Sequence, residues 1–232
     1  MEQPLPSAEL QPIEHVSLAH EVYGALHRQI VLGQLRPGDR LDVAALARTL
    51  RVSTMPVKQA VARLQLEGFV EIQPRRGTFV TSLSKDDLLE SLDVRLALDL
   101  FVAERIAETI PTDILDEMRL VHEQMQALSV ETGDYYQRQV LDRQFHRLPI
   151  VALGNQRIIQ IHELQHTHAQ LARVQGSQVR WDRADRDHAA ILAAFERHDA
   201  AAARLATVAH AQHARETLVT LMTRTEDTRA AT

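Results

Sequence analysis

Cysteine is absent from the 232-residue chain, which excludes disulfides and every metal site built on thiolates. Aromatic residues are scarce at 4%. Alanine, leucine, valine, arginine and glutamine abound instead, a balance that favours helices over sheet. No apolar run approaches the roughly 20 residues a membrane-spanning helix needs. The acidic, Pro-rich first residues lack the basic-then-apolar order of a secretory signal. The expectation is a soluble cytoplasmic protein with no membrane contact. Hydrophobic residues, at 45%, suffice for one large core or two modest ones.

The net charge is −5, an unpromising balance for a partner of nucleic acid. It is unevenly spread. Residues 16–83 hold nine Lys+Arg against five Asp+Glu, whereas residues 84–232 hold seventeen against twenty-three. Positive charge is confined to one segment, as an electrostatic footprint on DNA requires, although a surplus of this size also arises by chance.

That segment carries the most specific order in the chain. Residues 1–15, with three prolines, read as a disordered arm. Leu18–Gly33 places Val22, Leu26, Ile30 and Val31 at helical spacing and stops at Gly33 and Pro37-Gly38. Asp42 caps a helix over Val43–Leu50, with Leu46 and Leu50 turned inward. Ser53 or Thr54 caps the next, which tolerates Pro56 in its first turn, buries Val57, Val61 and Leu64, and ends at Gly68. Two β-prone runs, Phe69–Gln73 and Thr78–Thr81, flank Pro74-Arg75-Arg76-Gly77 as a hairpin. Helix, turn, helix and two-strand ribbon in this order predict a winged helix-turn-helix over residues 16–82.

From Ser84, which forms an acidic capping box with Asp87, only helical periodicity remains. Breaks at Pro111-Thr112, Thr132-Gly133-Asp134, Leu153-Gly154-Asn155, Gly176-Ser177 and His198-Asp199 divide it into about six helices, near 85–109, 112–130, 134–152, 155–175, 182–197 and 199–223. The fold class expected is therefore mostly α: the winged helix-turn-helix, an all-α bundle over 83–224, and a frayed polar tail at 225–232.

Major-groove readout needs a helix whose first side chains reach base edges. Here these are Ser53, Thr54, Lys58 and Gln59, with Arg63 placed later, toward phosphate or solvent. At the wing tip Arg75 and Arg76 suit phosphate or minor-groove contact, and Gly77 permits a close backbone approach. Residues 20–80 resemble the N-terminal domain of GntR-type bacterial transcription regulators. The resemblance is carried by Leu35-Arg36-Pro37-Gly38-Asp39-Arg40-Leu41, Pro56-Val57-Lys58-Gln59-Ala60, Glu67-Gly68-Phe69-Val70 and Gly77-Thr78-Phe79-Val80. It implies DNA as the partner. The family usually has Arg at the position of Thr54 and Arg-Glu at Lys58-Gln59, so the family's usual operator bases do not carry over with the fold.

Nine of the twelve histidines follow residue 121. Asp142 and His146, at i and i+4, share a helix face. His188 and His210 lie on either side of the break at His198-Asp199. In an antiparallel pair each would sit about 15–18 Å from the turn, level with the other. Three imidazoles and a carboxylate suit a divalent ion such as Zn, Ni, Mn or Fe and leave positions open. His162, His166 and His213 compete for the same role on spacing alone. The helical part resembles the FCD ligand-binding domain of the FadR subgroup, in its shorter, VanR-like form. The matching features are Asp142 with Phe145-His146, the Leu153-Gly154-Asn155 turn, Asp187-His188, Asp199 and His210. The resemblance implies Asp142, His146, His188 and His210 as metal ligands, with a small organic acid bound beside the ion. It also implies an effector contact at Arg95, which could equally form an intra-helix salt bridge with Asp99. Leu92, Leu96 and Leu100 on that helix read as core or dimer contacts.

The function these features favour is a ligand-responsive transcription regulator, a homodimer acting as a repressor on a double-stranded operator, and not an enzyme. Two alternatives remain: a metal-dependent hydrolase with a DNA-binding appendage, and a regulator whose metal is purely structural.

Overall fold

Pro37-Gly38 and Asp42 decide where the first two helices part. The computed structural model describes residues 17–128, 135–173 and 181–230, with backbone alone for Arg173 and 222–230. Helix α1 (Leu18–Val31) ends before Gly33, whose φ of 70° only glycine adopts freely. Helix α2 (Val43–Leu50) begins where the Asp42 carboxylate accepts hydrogen bonds from the amides of Ala44 and Ala45, at 2.8 and 2.9 Å. Of its residues only Ala47 is fully buried; Leu46 and Leu50 lie half-buried against the same core.

Helix α3 (Thr54–Leu66) buries Val57, Ala60, Val61 and Leu64. It starts at Ser53 without any bond from that side chain, so the hydroxyl stays exposed. Strands β1 (Val70–Gln73) and β2 (Gly77–Val80) pair antiparallel, Val70 opposite Val80 and Gln73 opposite Gly77. Arg40 adds a bridge to Phe79. Strand β1 begins one residue later than expected, because Phe69 turns wholly into the core, and β2 lies one residue earlier, at Gly77.

The helical part comprises α4 (Lys85–Ile106), α5 (Thr112–Ala127), α6 (Tyr135–Ala152), α7 (Gln156–Arg173), α8 (Asp182–Glu196) and α9 (Ala200–Ala230). Ser84 and Asp87 form the expected capping box. One apolar cluster joins α4, α5, α6, α8 and α9 around Met118, Phe145 and Phe195; a smaller one links α4, α7 and α9 through Leu88, Ala169 and Leu218. No helix among the described residues is long and apolar enough to cross a membrane.

Two differences stand out. Helix α9 runs to Ala230, well past the expected end and through most of the tail expected to fray. The segment from Thr223 contains no glycine or proline to stop it. The other difference lies between the domains. Leu171 of α7 is part of the winged-helix core, and Leu164 of α7 fills the space beside Gly68. The arm over residues 1–15 and the breaks at 132–134 and 176–177 lie outside the described residues.

Candidate metal centre and nucleic-acid interface

Asp142 and His146 come from α6, His188 from α8 and His210 from α9. Helices α8 and α9 reverse direction at His198, whose φ is 52°, so the two later histidines do come level. The Nε2 atoms of His146 and His188 are 3.2 Å apart. One ligating atom from each of His146, His188 and His210 lies within 4.8 Å of the others. All three rings are buried, His188 to 0% exposure. The Asp142 carboxylate adjoins them, 3.6 Å from His188 Nε2, though it stands outside that closest group of three.

The chemistry of this set fits a cation. Burial, followed by the charges of Arg95 and His210, pushes the His146 pKa well below the usual imidazole range. Burial and then His210 do the same to His188. Both rings are therefore neutral and present lone pairs. Nδ1 of His188 and both ring nitrogens of His210 are buried without a hydrogen-bond partner among the described residues, a state that costs about 1–3 kcal/mol per group when left unmet. Imidazole nitrogens about 2.0–2.1 Å from one ion stand about 2.9–3.4 Å apart at tetrahedral or octahedral angles. The observed 3.2 Å lies in that window.

Two of the competing histidines are engaged elsewhere. His162 Nε2 is 2.9 Å from Asp99, and His213 Nδ1 is 2.8 Å from Asp187. His166 lies beyond Asp142, its Nε2 3.8 Å from the carboxylate. Asp187 also stands 3.7 Å from His210 Nδ1, placed to orient that ring.

Arg95 forms the intra-helix salt bridge, one of the two readings that its sequence left open. Its Nε lies 3.4 Å from Asp99, while one guanidinium nitrogen is buried without a hydrogen-bond partner among the described residues. Two cavities meet at His210. One, of about 70 Å³, is walled by Arg138, Trp181, Asp187 and His213. The other, of about 30 Å³, is mostly apolar, with Phe145, Ile150, Ile191 and Phe195, and is bordered by Asp99 and His146. A single water needs about 10–15 Å³, so the larger cavity has room for several waters or a very small acid. Arg138 and Trp181 escaped the sequence reading. Their guanidinium-over-indole stack, 5.2 Å to the ring centre, joins residues 43 positions apart and leaves no local pattern.

On the winged helix, Ser53, Thr54, Lys58 and Gln59 are exposed on the first turns of α3, and Arg75 and Arg76 are exposed at the wing tip. Arg75 takes a positive φ of 64°. Arg63 is exposed, as expected, with its guanidinium 3.8 Å from the centre of the Tyr23 ring and bonded to Glu67 at 3.0 Å. Gly77 does admit a close approach, but by Arg40: a Cβ there would stand 3.1 Å from Arg40 Nε, and its φ is 126°.

A winged helix-turn-helix joined to an all-α domain with a buried histidine cluster defines a class of two-domain architecture. The family model described as bacterial regulatory proteins, gntR family, matches residues 18–80, and that of the FCD domain matches residues 90–213. The chain belongs to the gntR family of bacterial regulatory proteins, in its FCD-containing branch.

Among curated relatives, the chain is 31% identical over 147 residues to the HTH-type transcriptional regulator McbR of Escherichia coli K12, covering 63% of this chain and 66% of that one. It is 28% identical over 142 residues to the HTH-type transcriptional repressor RspR of the same organism, covering 60% of each. The matches thus span less than two thirds of these relatives' length. Among solved structures, E. coli McbR/YncC superposes with a TM-score of 0.73 at 23% identity, over 89% of this chain and 99% of that one, and shares the fold. These relatives are named as transcriptional regulators.

Proposed function

We propose that this chain is a DNA-binding transcriptional repressor that works as a homodimer and answers to a small organic acid. Its helical domain would hold a divalent transition metal on Asp142, His146, His188 and His210. The observation that carries this reading is the trio of buried imidazoles, two of them 3.2 Å apart and two with nitrogens lacking a partner among the described residues. A metal supplies positive charge and open positions for carboxylate oxygens. Arg95, with one unbonded guanidinium nitrogen beside the cluster, would take the other side of the same carboxylate.

The DNA contacts fall to Ser53, Thr54, Lys58 and Gln59 on α3, and to Arg75, Arg76 and Gly77 on the wing. Two copies would set two α3 helices into successive major grooves of a near-palindromic operator. The acid changes operator affinity only by as much as it prefers one arrangement of the two domains.

The deciding experiment uses the full chain purified with its metal. Metal content is measured first, then operator affinity across a panel of small carboxylates, for wild type and for Arg95→Met. A carboxylate that shifts operator affinity in wild type and not in Arg95→Met supports the reading. If chelation lowers the melting temperature while no carboxylate alters DNA binding, the metal is structural and the sensing role fails.

A further inference from the structure

The outward row of α3 is neutral. With about 100° between successive residues, the buried Pro56, Val57, Ala60, Val61 and Leu64 set one mean direction for the core. Met55 and Ala62 then point about 170° away from it, with Gln59 and Lys58 on either flank at about 130°. The structure agrees: Gln59 and Ala62 are exposed and Met55 is 62% exposed. No arginine stands on this row. The nearest, Arg63, is held by Tyr23 and Glu67.

An exposed methionine on an arbitrary surface helix is ordinary. On the helix that enters the major groove it faces base edges, and the groove offers an apolar side chain one distinctive partner, the C5 methyl of thymine. Gln59, on the flank beside Met55, carries the amide that pairs with adenine N6 and N7.

Resting on the reading of α3 as the DNA-reading helix, we infer that Met55 and Gln59 read A·T pairs, Met55 by packing on a thymine methyl and Gln59 by its amide on adenine. Ala62 extends the apolar contact along the groove. Lys58, on the opposite flank of Met55 from Gln59, serves phosphate or an edge purine.

The test is selection from randomised duplexes with the full-length protein, followed by replacement of each thymine in the selected half-site by deoxyuridine. That exchange removes the methyl and keeps the O4 acceptor. At one or two positions wild type should bind about fourfold more weakly, the effect expected for one buried carbon. Met55→Ser should bind the thymine duplex more weakly and show no further loss with deoxyuridine there. Thermal melting of Met55→Ser, at an exposed site, should match wild type. Selection of a sequence whose binding is indifferent to every deoxyuridine overturns the inference. So does a Met55→Ser protein that keeps the full deoxyuridine effect. Failure to enrich any sequence sinks the DNA-reading assignment itself, and the inference with it.

Discussion

Asp142 and Arg143 are neighbours on α6 that face different domains. The Asp142 carboxylate lies 3.6 Å from His188 in the histidine cluster. The Arg143 guanidinium is held by Glu163 of α7 and stands 5.9 Å from the ring centre of Phe69, in the winged-helix core. A rotation of α6 that reshapes the cluster must therefore shift a cation against the DNA-binding domain. Arg143→Met should leave metal affinity close to wild type while reducing the difference in operator affinity between metal-loaded and metal-free protein. Isothermal titration and fluorescence anisotropy on the same samples check this, and an undiminished difference would refute it.

The cluster should tie metal to stability. At a free metal concentration 100-fold above its dissociation constant, binding to the folded state alone adds about 2.7 kcal/mol. Chelation should lower the wild-type melting temperature accordingly. His188→Asn should have a lower melting temperature that chelator no longer moves, with metal content falling from on the order of one ion per chain toward none.

The wing should act through charge alone. Replacing both Arg75 and Arg76 by alanine should weaken binding to all sequences alike. The slope of log affinity against log salt should become shallower by about 0.9 for each phosphate no longer neutralised. Gly77→Ala should destabilise the fold by about 1–3 kcal/mol, because it imposes a side chain on a positive φ beside Arg40. Chemical denaturation measures it.

His27 gives a pH dependence at the domain junction. Its Nδ1 pairs with the Tyr136 hydroxyl at 3.0 Å, and burial, assisted by the Arg143 charge, lowers its pKa to about 4. The unfolded chain binds this proton near pH 6.5 and the folded chain only near 4. The stabilisation is thus present above pH 6.5 and lost as pH falls through that window. Between about pH 7.5 and 5 the loss is about 2 kcal/mol. His27→Gln should flatten that part of the stability curve relative to wild type, as measured by urea denaturation at each pH.

Local signals were the ones sequence could carry. Asp42 and Ser84 announced helix starts by their own side chains, Gly33 and Gly68 announced stops, and the bounds of α2 match to the residue. The meeting of His188 and His210 was legible because helical rise alone makes positions level across an antiparallel pair. What escaped depends on packing between distant segments. Tyr23 captures Arg63 from another helix, Arg40 crowds Gly77 from a loop, and Leu164 reaches Gly68 across the domain boundary. The end of α9 lies past the expected one because a polar segment without glycine or proline keeps no signal that stops a helix.

Trp181 is the chain's one tryptophan, and it lies in the wall of the cavity that reaches His210, with Arg138 against its face. All indole emission from the protein thus originates beside the histidines. The molecule carries its own optical reporter, and occupancy of that cavity can be followed without a label or a DNA probe.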